Sequence, residues 1–153
     1  MNEVLKNIAT RRSVRKYSDK KVPKEILDNI LTAGLYAPSA MNNQSWILTV
    51  VEDIEKLENL KNAIAKALDR PDYHRFYNAP LFIIVTVPED YRHGAVDTAC
   101  VLENMFLAAH SEGVGSVWIN QLKDCCNDSE VRKILTSFGI PENHVCYGCG
   151  AFG

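Results

Sequence analysis

The sequence lacks any apolar run that approaches the roughly 20 residues required by a membrane-spanning helix. It also lacks an excess of either charge, because 17 basic and 19 acidic residues leave a formal net charge of -2. This balance argues against a general binder of nucleic acid or of anionic membranes. No internal repeat, low-complexity tract or linker divides the chain, so its 153 residues predict a single domain over 1–153.

A disulfide framework is also missing. The number of cysteines is odd at five, no signal peptide precedes them, and the chain can form a core without crosslinks. We therefore expect reduced thiols in a cytoplasmic protein. A zinc or thiol site stays open as an alternative, although adjacent cysteines poorly suit one tetrahedral ion. Its donors would be His144, Cys125, Cys126, Cys146 and Cys149.

The spacing of apolar residues predicts helices and strands along the whole chain. A continuous apolar run over 81–87, bounded by prolines, is typical of a strand buried on both faces. Asp53 is placed to cap a helix that stops at Arg70-Pro71. The pattern predicts helices over 2–11, 24–36, 54–69, 94–112 and 129–138, and strands over 46–52, 81–87, 114–119 and 145–152.

The helix over 94–112 has apolar residues on every side of its wheel, which indicates burial on every side. In a chain of this size, we expect the sheet to cover one side of this helix and a second subunit to cover another. A core helix inside a monomer is the alternative.

Arg11, Arg12 and Arg15 lie within five positions of one another, together with Ser13, where the first helix ends. The guanidinium group is planar, permanently charged and well matched to phosphate oxygens. The basic residues are therefore concentrated locally, as a small phosphorylated ligand would require.

A second polar segment over 38–46, with the sequence PSAMNNQSW, lies between a helix and a strand. Carboxamide side chains present a donor beside an acceptor, which suits the edge of a heterocycle such as the pyrimidine of a flavin. A turn whose side chains satisfy only their own backbone is the alternative.

Taken together, these segments resemble the nitroreductase family of FMN-dependent oxidoreductases. Residues 11–17, RRSVRKY, match the family's Arg-Arg-Ser-x-Arg-x-Tyr/Phe stretch. Residues 37–46, APSAMNNQSW, match its Ala-Pro-Ser-x-x-Asn-x-Gln-Pro-Trp stretch. Residues 97–119 resemble its long central helix and the Gly-x-Gly-Ser-x-Trp-Ile continuation, and Ala79-Pro80 precedes the buried strand as in the family.

The resemblance implies an α+β fold, with a central mixed or antiparallel sheet flanked by helices and a long buried central helix. It also implies a homodimer with FMN at the interface. One subunit would hold the phosphate and the pyrimidine side of the flavin through Arg11, Arg12, Ser13 and Arg15. The other would contribute Pro38, Ser39, Ala40, Asn42 and Gln44. Near the ring would lie Trp118, Ile119 and Asn120, with Arg75 as a further cationic contact.

The activity implied by the resemblance is transfer of electrons from NADH or NADPH, through FMN, to a small acceptor such as a nitroaromatic or a quinone. Two substrates would use one open face in turn, in a ping-pong scheme. No side chain is expected to act as a nucleophile, and no metal is expected. A flavin-binding carrier or sensor without turnover is the alternative, because its binding residues would be the same.

Two features depart from the family pattern. Ser45 stands where the family has proline, which removes some rigidity from the loop. The chain ends at Gly153, whereas family members usually continue with Tyr-Pro and a basic tail that adds a phosphate contact. We expect such a tail to be missing, and its absence to weaken FMN affinity and the dimer.

Overall fold

The computed structural model describes residues 1–153 and confirms the α+β class. No helix is both long enough and apolar enough to cross a membrane. The 3-10 turn Ala40–Asn42 and the short helix Leu122–Cys125 were not predicted from the sequence. The helices are α1 Glu3–Thr10, α2 Lys24–Leu35, α3 Ile54–Ala67, α4 Gly94–Ser111, α5 Leu122–Cys125 and α6 Ser129–Ser137, and the strands are β1 Ile47–Val51, β2 Leu81–Pro88, β3 Ser116–Ile119 and β4 His144–Phe152.

The four strands form one sheet in the order β1-β2-β4-β3, and every neighbouring pair is antiparallel. The expectation of a mixed or antiparallel sheet thus resolves to antiparallel. The outer edge of β3 is covered by the segment after α1, where Ser13 forms an isolated parallel bridge with Ser116. This bridge brings the arginine-rich segment to the sheet.

The sheet is covered on both faces, as β2 shows. Leu81, Ile83 and Val85 are fully buried in the cluster that contains α2 and α4. Phe82 and Ile84 are fully buried in the other cluster, with α3, α5 and α6. The prediction of a strand buried on both faces is confirmed. Two helical layers therefore hold the sheet rigid while its β3 edge faces the arginine segment.

The central helix α4 is only partly enclosed within one chain. One side packs against the sheet, and α2 covers part of another side. A strip along the outside is nevertheless open, with Ala95 and Ala99 exposed and Val96 66% exposed. This strip has no covering element within the chain, which contradicts the alternative of a core helix inside a monomer, and its cover by a second subunit stays a prediction.

Candidate functional site

The arginine-rich segment is held along the outer edge of β3 by backbone contacts. The Val14 amide donates to the Ser116 carbonyl at 2.9 Å, which continues the sheet by one bond. The Tyr17 hydroxyl donates to the Val14 carbonyl at 2.7 Å and reaches the Ala151 carbonyl at 3.3 Å. These bonds fix the backbone and leave the intervening side chains pointing away from the core.

The three guanidinium groups of this segment remain largely available. Arg11 Nε lies 3.9 Å from Glu103 Oε1 on α4, at the long end of the range for an ion pair. Arg12 donates through Nη1 to the carbonyls of Ala9 and Arg11, each at 2.8 Å, which leaves its other nitrogens free of protein partners. Arg15 is exposed and forms no salt bridge. The donor set suits a phosphate group.

The arginine segment borders β3, and the end of this strand carries the next predicted site residues. Ile119 is buried, whereas the Trp118 indole is 37% exposed and donates to Asn120 Oδ1 at 3.3 Å. The turn that carries Arg75 approaches this end, because the Tyr73 hydroxyl donates to Gln121 Oε1 at 3.1 Å. Residues 11–15 therefore lie beside β3, whose end carries Trp118–Asn120, and the turn that carries Arg75 contacts Gln121, the residue after Asn120.

Trp118 keeps its place because Gly148, on β4, has no side chain. A Cβ atom at residue 148 would lie 2.6 Å from Trp118 Cε2 and 2.9 Å from its Nε1. We expect Gly148→Ala to push the indole outward, break its bond to Asn120 and cost about 1–3 kcal/mol of unfolding free energy. The indole N–H resonance of Trp118 should move in NMR spectra while that of the buried Trp46 stays, and an unmoved Trp118 signal would contradict this packing.

The carboxamide-rich loop adopts a constrained conformation. Met41, Asn42 and Gln44 have positive φ angles of 51°, 55° and 48°, a region that non-glycine residues seldom occupy. The Gln44 amide donates to Ser39 Oγ at 3.0 Å, which closes the loop on itself. Asn42 and Gln44 are exposed, and their carboxamide groups make no hydrogen bond within the protein. The alternative in which these side chains only satisfy the turn is wrong for both.

The loop is attached to the first turn of α4. The Ala40 amide donates to Asp97 Oδ1 at 3.3 Å, and the Tyr91 hydroxyl donates to Asp97 Oδ2 at 2.6 Å. Sequence reasoning assigned no role to Asp97 or Tyr91. The available signal was an acidic residue in the first turn of a mostly apolar helix.

The two predicted halves do not meet within one chain. No hydrogen bond or ion pair joins the Arg11–Arg15 segment to the loop over 38–46. Both instead contact α4, the loop through Asp97 and the arginine segment through Glu103. Six residues of helix separate these acids by about 9 Å along the axis.

The cysteine-rich region belongs to the core. No group of three or more His, Cys, Asp or Glu side chains is placed to hold a metal ion. Burial raises the pKa of Cys125 to about 12, so this thiol stays protonated and inert. Two other thiols donate to backbone carbonyls, Cys146 to Gly148 at 3.3 Å and Cys149 to Ile119 at 3.5 Å. Nothing in this region favours the thiol-site alternative.

Comparison with known proteins agrees with this geometry. The sequence model of the Nitroreductase family matches residues 8–153. A relative from Archaeoglobus fulgidus, whose name places it among NADH dehydrogenases and NAD(P)H nitroreductases, is 34% identical, over 100% of this chain and 86% of the relative.

Solved structures give the same result. A nitroreductase with bound FMN from Bacteroides fragilis superposes with a TM-score of 0.96 at 45% identity, over 100% of this chain and 88% of that one. A second nitroreductase with bound FMN, from Desulfitobacterium hafniense, has a TM-score of 0.89 at 28% identity, over 100% and 89% of the two chains. The family read from the two polar motifs is thus confirmed over nearly the whole sequence, and the chain belongs to the nitroreductase family.

Proposed function

We propose that this chain is a cytoplasmic, FMN-dependent oxidoreductase that takes electrons from NADH or NADPH and passes them to a small acceptor such as a nitroaromatic or a quinone. The observation that carries the proposal is the pair of unsatisfied donor sets. The exposed guanidinium groups of Arg12 and Arg15, with the half-buried Arg11, lie beside the β3 edge, and unpartnered carboxamides lie on the strained loop. The first suits a phosphate and the second suits the pyrimidine edge of a flavin. Two similar nitroreductases hold FMN.

The active form is a homodimer in which the two halves of each site come from different subunits. Within one chain the arginine segment and the loop are apart, so a complete site needs a second copy. Apolar surface supports this arrangement. Helix α1 buries none of its residues, although Val4, Leu5 and Ile8 form an apolar face and are 51–67% exposed. A helix with such a face normally packs it against another surface.

Bound FMN supplies the redox chemistry, since it accepts a hydride and releases electrons to a second substrate. Arg11, Arg12 and Arg15 would hold its phosphate and place positive charge near the pyrimidine edge, where negative charge on the cofactor is stabilised. Asn42 and Gln44 would orient that edge through hydrogen bonds. No side chain is required to act as a nucleophile. Because the loop and Trp118 lie at the surface, donor and acceptor can occupy one face in turn, as a ping-pong scheme requires.

The purified protein is expected to be yellow and to lose that colour when NADH or NADPH is added without oxygen. Absorption near the flavin bands is the measurement, and recovery of colour after addition of a quinone or a nitroaromatic shows turnover. Yellow protein that neither nicotinamide bleaches would indicate a carrier or sensor instead. Colourless protein that cannot be reconstituted with FMN would contradict the proposal.

A further inference from the structure

We propose that Asp97 is a positioning residue, which holds the carboxamide loop in its FMN-binding conformation by accepting hydrogen bonds from the Ala40 amide and the Tyr91 hydroxyl. This inference rests on the proposed function, because it concerns how the loop meets the cofactor. Asp97 lies beneath the loop and supports it from the first turn of α4.

The loop needs an external support because its own conformation is unfavourable. Three of its residues, Met41, Asn42 and Gln44, occupy the left-handed region, where a side chain crowds the backbone. Met41 is 83% exposed, so packing of its side chain does not repay that strain. The loop keeps its shape through a few hydrogen bonds, of which the bond from the Ala40 amide to Asp97 ties it to the rigid helix α4.

Asp97 is well placed to be that support. Its side chain is buried, with the residue only 3% exposed, and a buried carboxylate must be compensated. The α4 N-terminus supplies favourable partial charge, and the two donors occupy different carboxylate oxygens. The 2.6 Å bond also raises the pKa of Tyr91, because its neutral hydroxyl is the donor. Tyr91 thereby keeps the carboxylate aimed at Ala40.

The decisive variant is Asp97→Asn, which keeps the shape but leaves only one acceptor oxygen for two donors. Hydrogen exchange of the Ala40 amide, measured without added FMN, should accelerate about tenfold or more. The dissociation constant for FMN should rise by a similar factor. The visible absorption bands of bound FMN should also shift, because the loop carboxamides would no longer be oriented to hydrogen-bond to the flavin ring.

The matched control is Asp28→Asn, the same chemical change in an exposed ion pair with Lys24 on α2. This control should match the unmodified protein in exchange, affinity and spectrum. Tyr91→Phe is the second variant and decides the question if Asp97→Asn does not fold. It leaves the carboxylate in place, so its expected effect has the same direction and is smaller.

Faster Ala40 exchange together with weaker FMN binding supports the positioning role. Unchanged exchange, or faster exchange with unchanged FMN affinity and spectrum, overturns it while the proposed function stands, because the unmodified protein still binds FMN. An unmodified protein that binds no FMN overturns both proposals.

Discussion

Replacement of both Arg11 and Arg15 by alanine is expected to abolish retention of FMN without changing the helix content of the protein. A hydrogen bond from a charged donor contributes about 1.5–3 kcal/mol, so loss of two such contacts to one phosphate should cost about 3–6 kcal/mol of binding free energy. That cost corresponds to a roughly 10²- to 10⁴-fold weaker complex. The cofactor would then be lost during purification.

The fold should tolerate this change because neither side chain supports the core. Arg11 makes one 3.9 Å contact to an exposed carboxylate, and such surface pairs contribute about 0–1 kcal/mol. Arg15 is exposed. The control is Lys20→Ala with Lys21→Ala, which removes two exposed charges from the same connection between α1 and α2 and leaves the arginines in place. Circular dichroism and FMN fluorescence measure the outcome, and FMN retained by the arginine variant would exclude these residues from the site.

The regular elements were predictable because their apolar patterns are strong. The run over 81–87 is β2, and the Asp53 side chain caps α3 by accepting from the Lys56 amide at 3.1 Å. Each of these features depends on near neighbours in the sequence, so spacing alone identifies it. The chemistry of the candidate site was also predictable, because guanidinium groups suit a phosphate and carboxamides suit the edge of a heterocycle.

Contacts between distant residues were not predictable in this way. The bond from Ala40 to Asp97 joins residues 57 positions apart, and nothing local in either segment indicates it. The β-bulge in β4 is similar, since Val85 pairs with Gly148 and Thr86 with Cys146, leaving Tyr147 unpaired. A bulge changes which side chains share a face, and sequence alternation cannot locate it. For α4, composition predicted that a second subunit covers one side of the helix, but it did not say which residues form that open strip.

The second large effect is expected for the substitution Val96→Glu, which lies on the open strip of α4. Val96 lies in the first turn of α4 and is 66% exposed, so glutamate there should be compatible with the helix and with the single chain. In a dimer that covers this strip, the carboxylate would be buried without a partner, which costs about 3–5 kcal/mol per site. We expect the variant to be monomeric by light scattering and, because the proposed site draws on both subunits, to lose FMN.

Ile54→Glu is a closely matched control for this change. Ile54 is also β-branched, also lies in the first turn of a helix, and is 71% exposed, but α3 packs on the opposite face of the sheet from α4. This control should stay dimeric and yellow, which separates an interface effect from the mere addition of surface charge. A Val96→Glu protein that remains a dimer would place the subunit interface elsewhere, and a monomeric unmodified protein that binds FMN would show that one chain forms the whole site. The oligomeric state and FMN content of the Val96→Glu variant therefore test whether the two polar segments bind one cofactor from separate subunits.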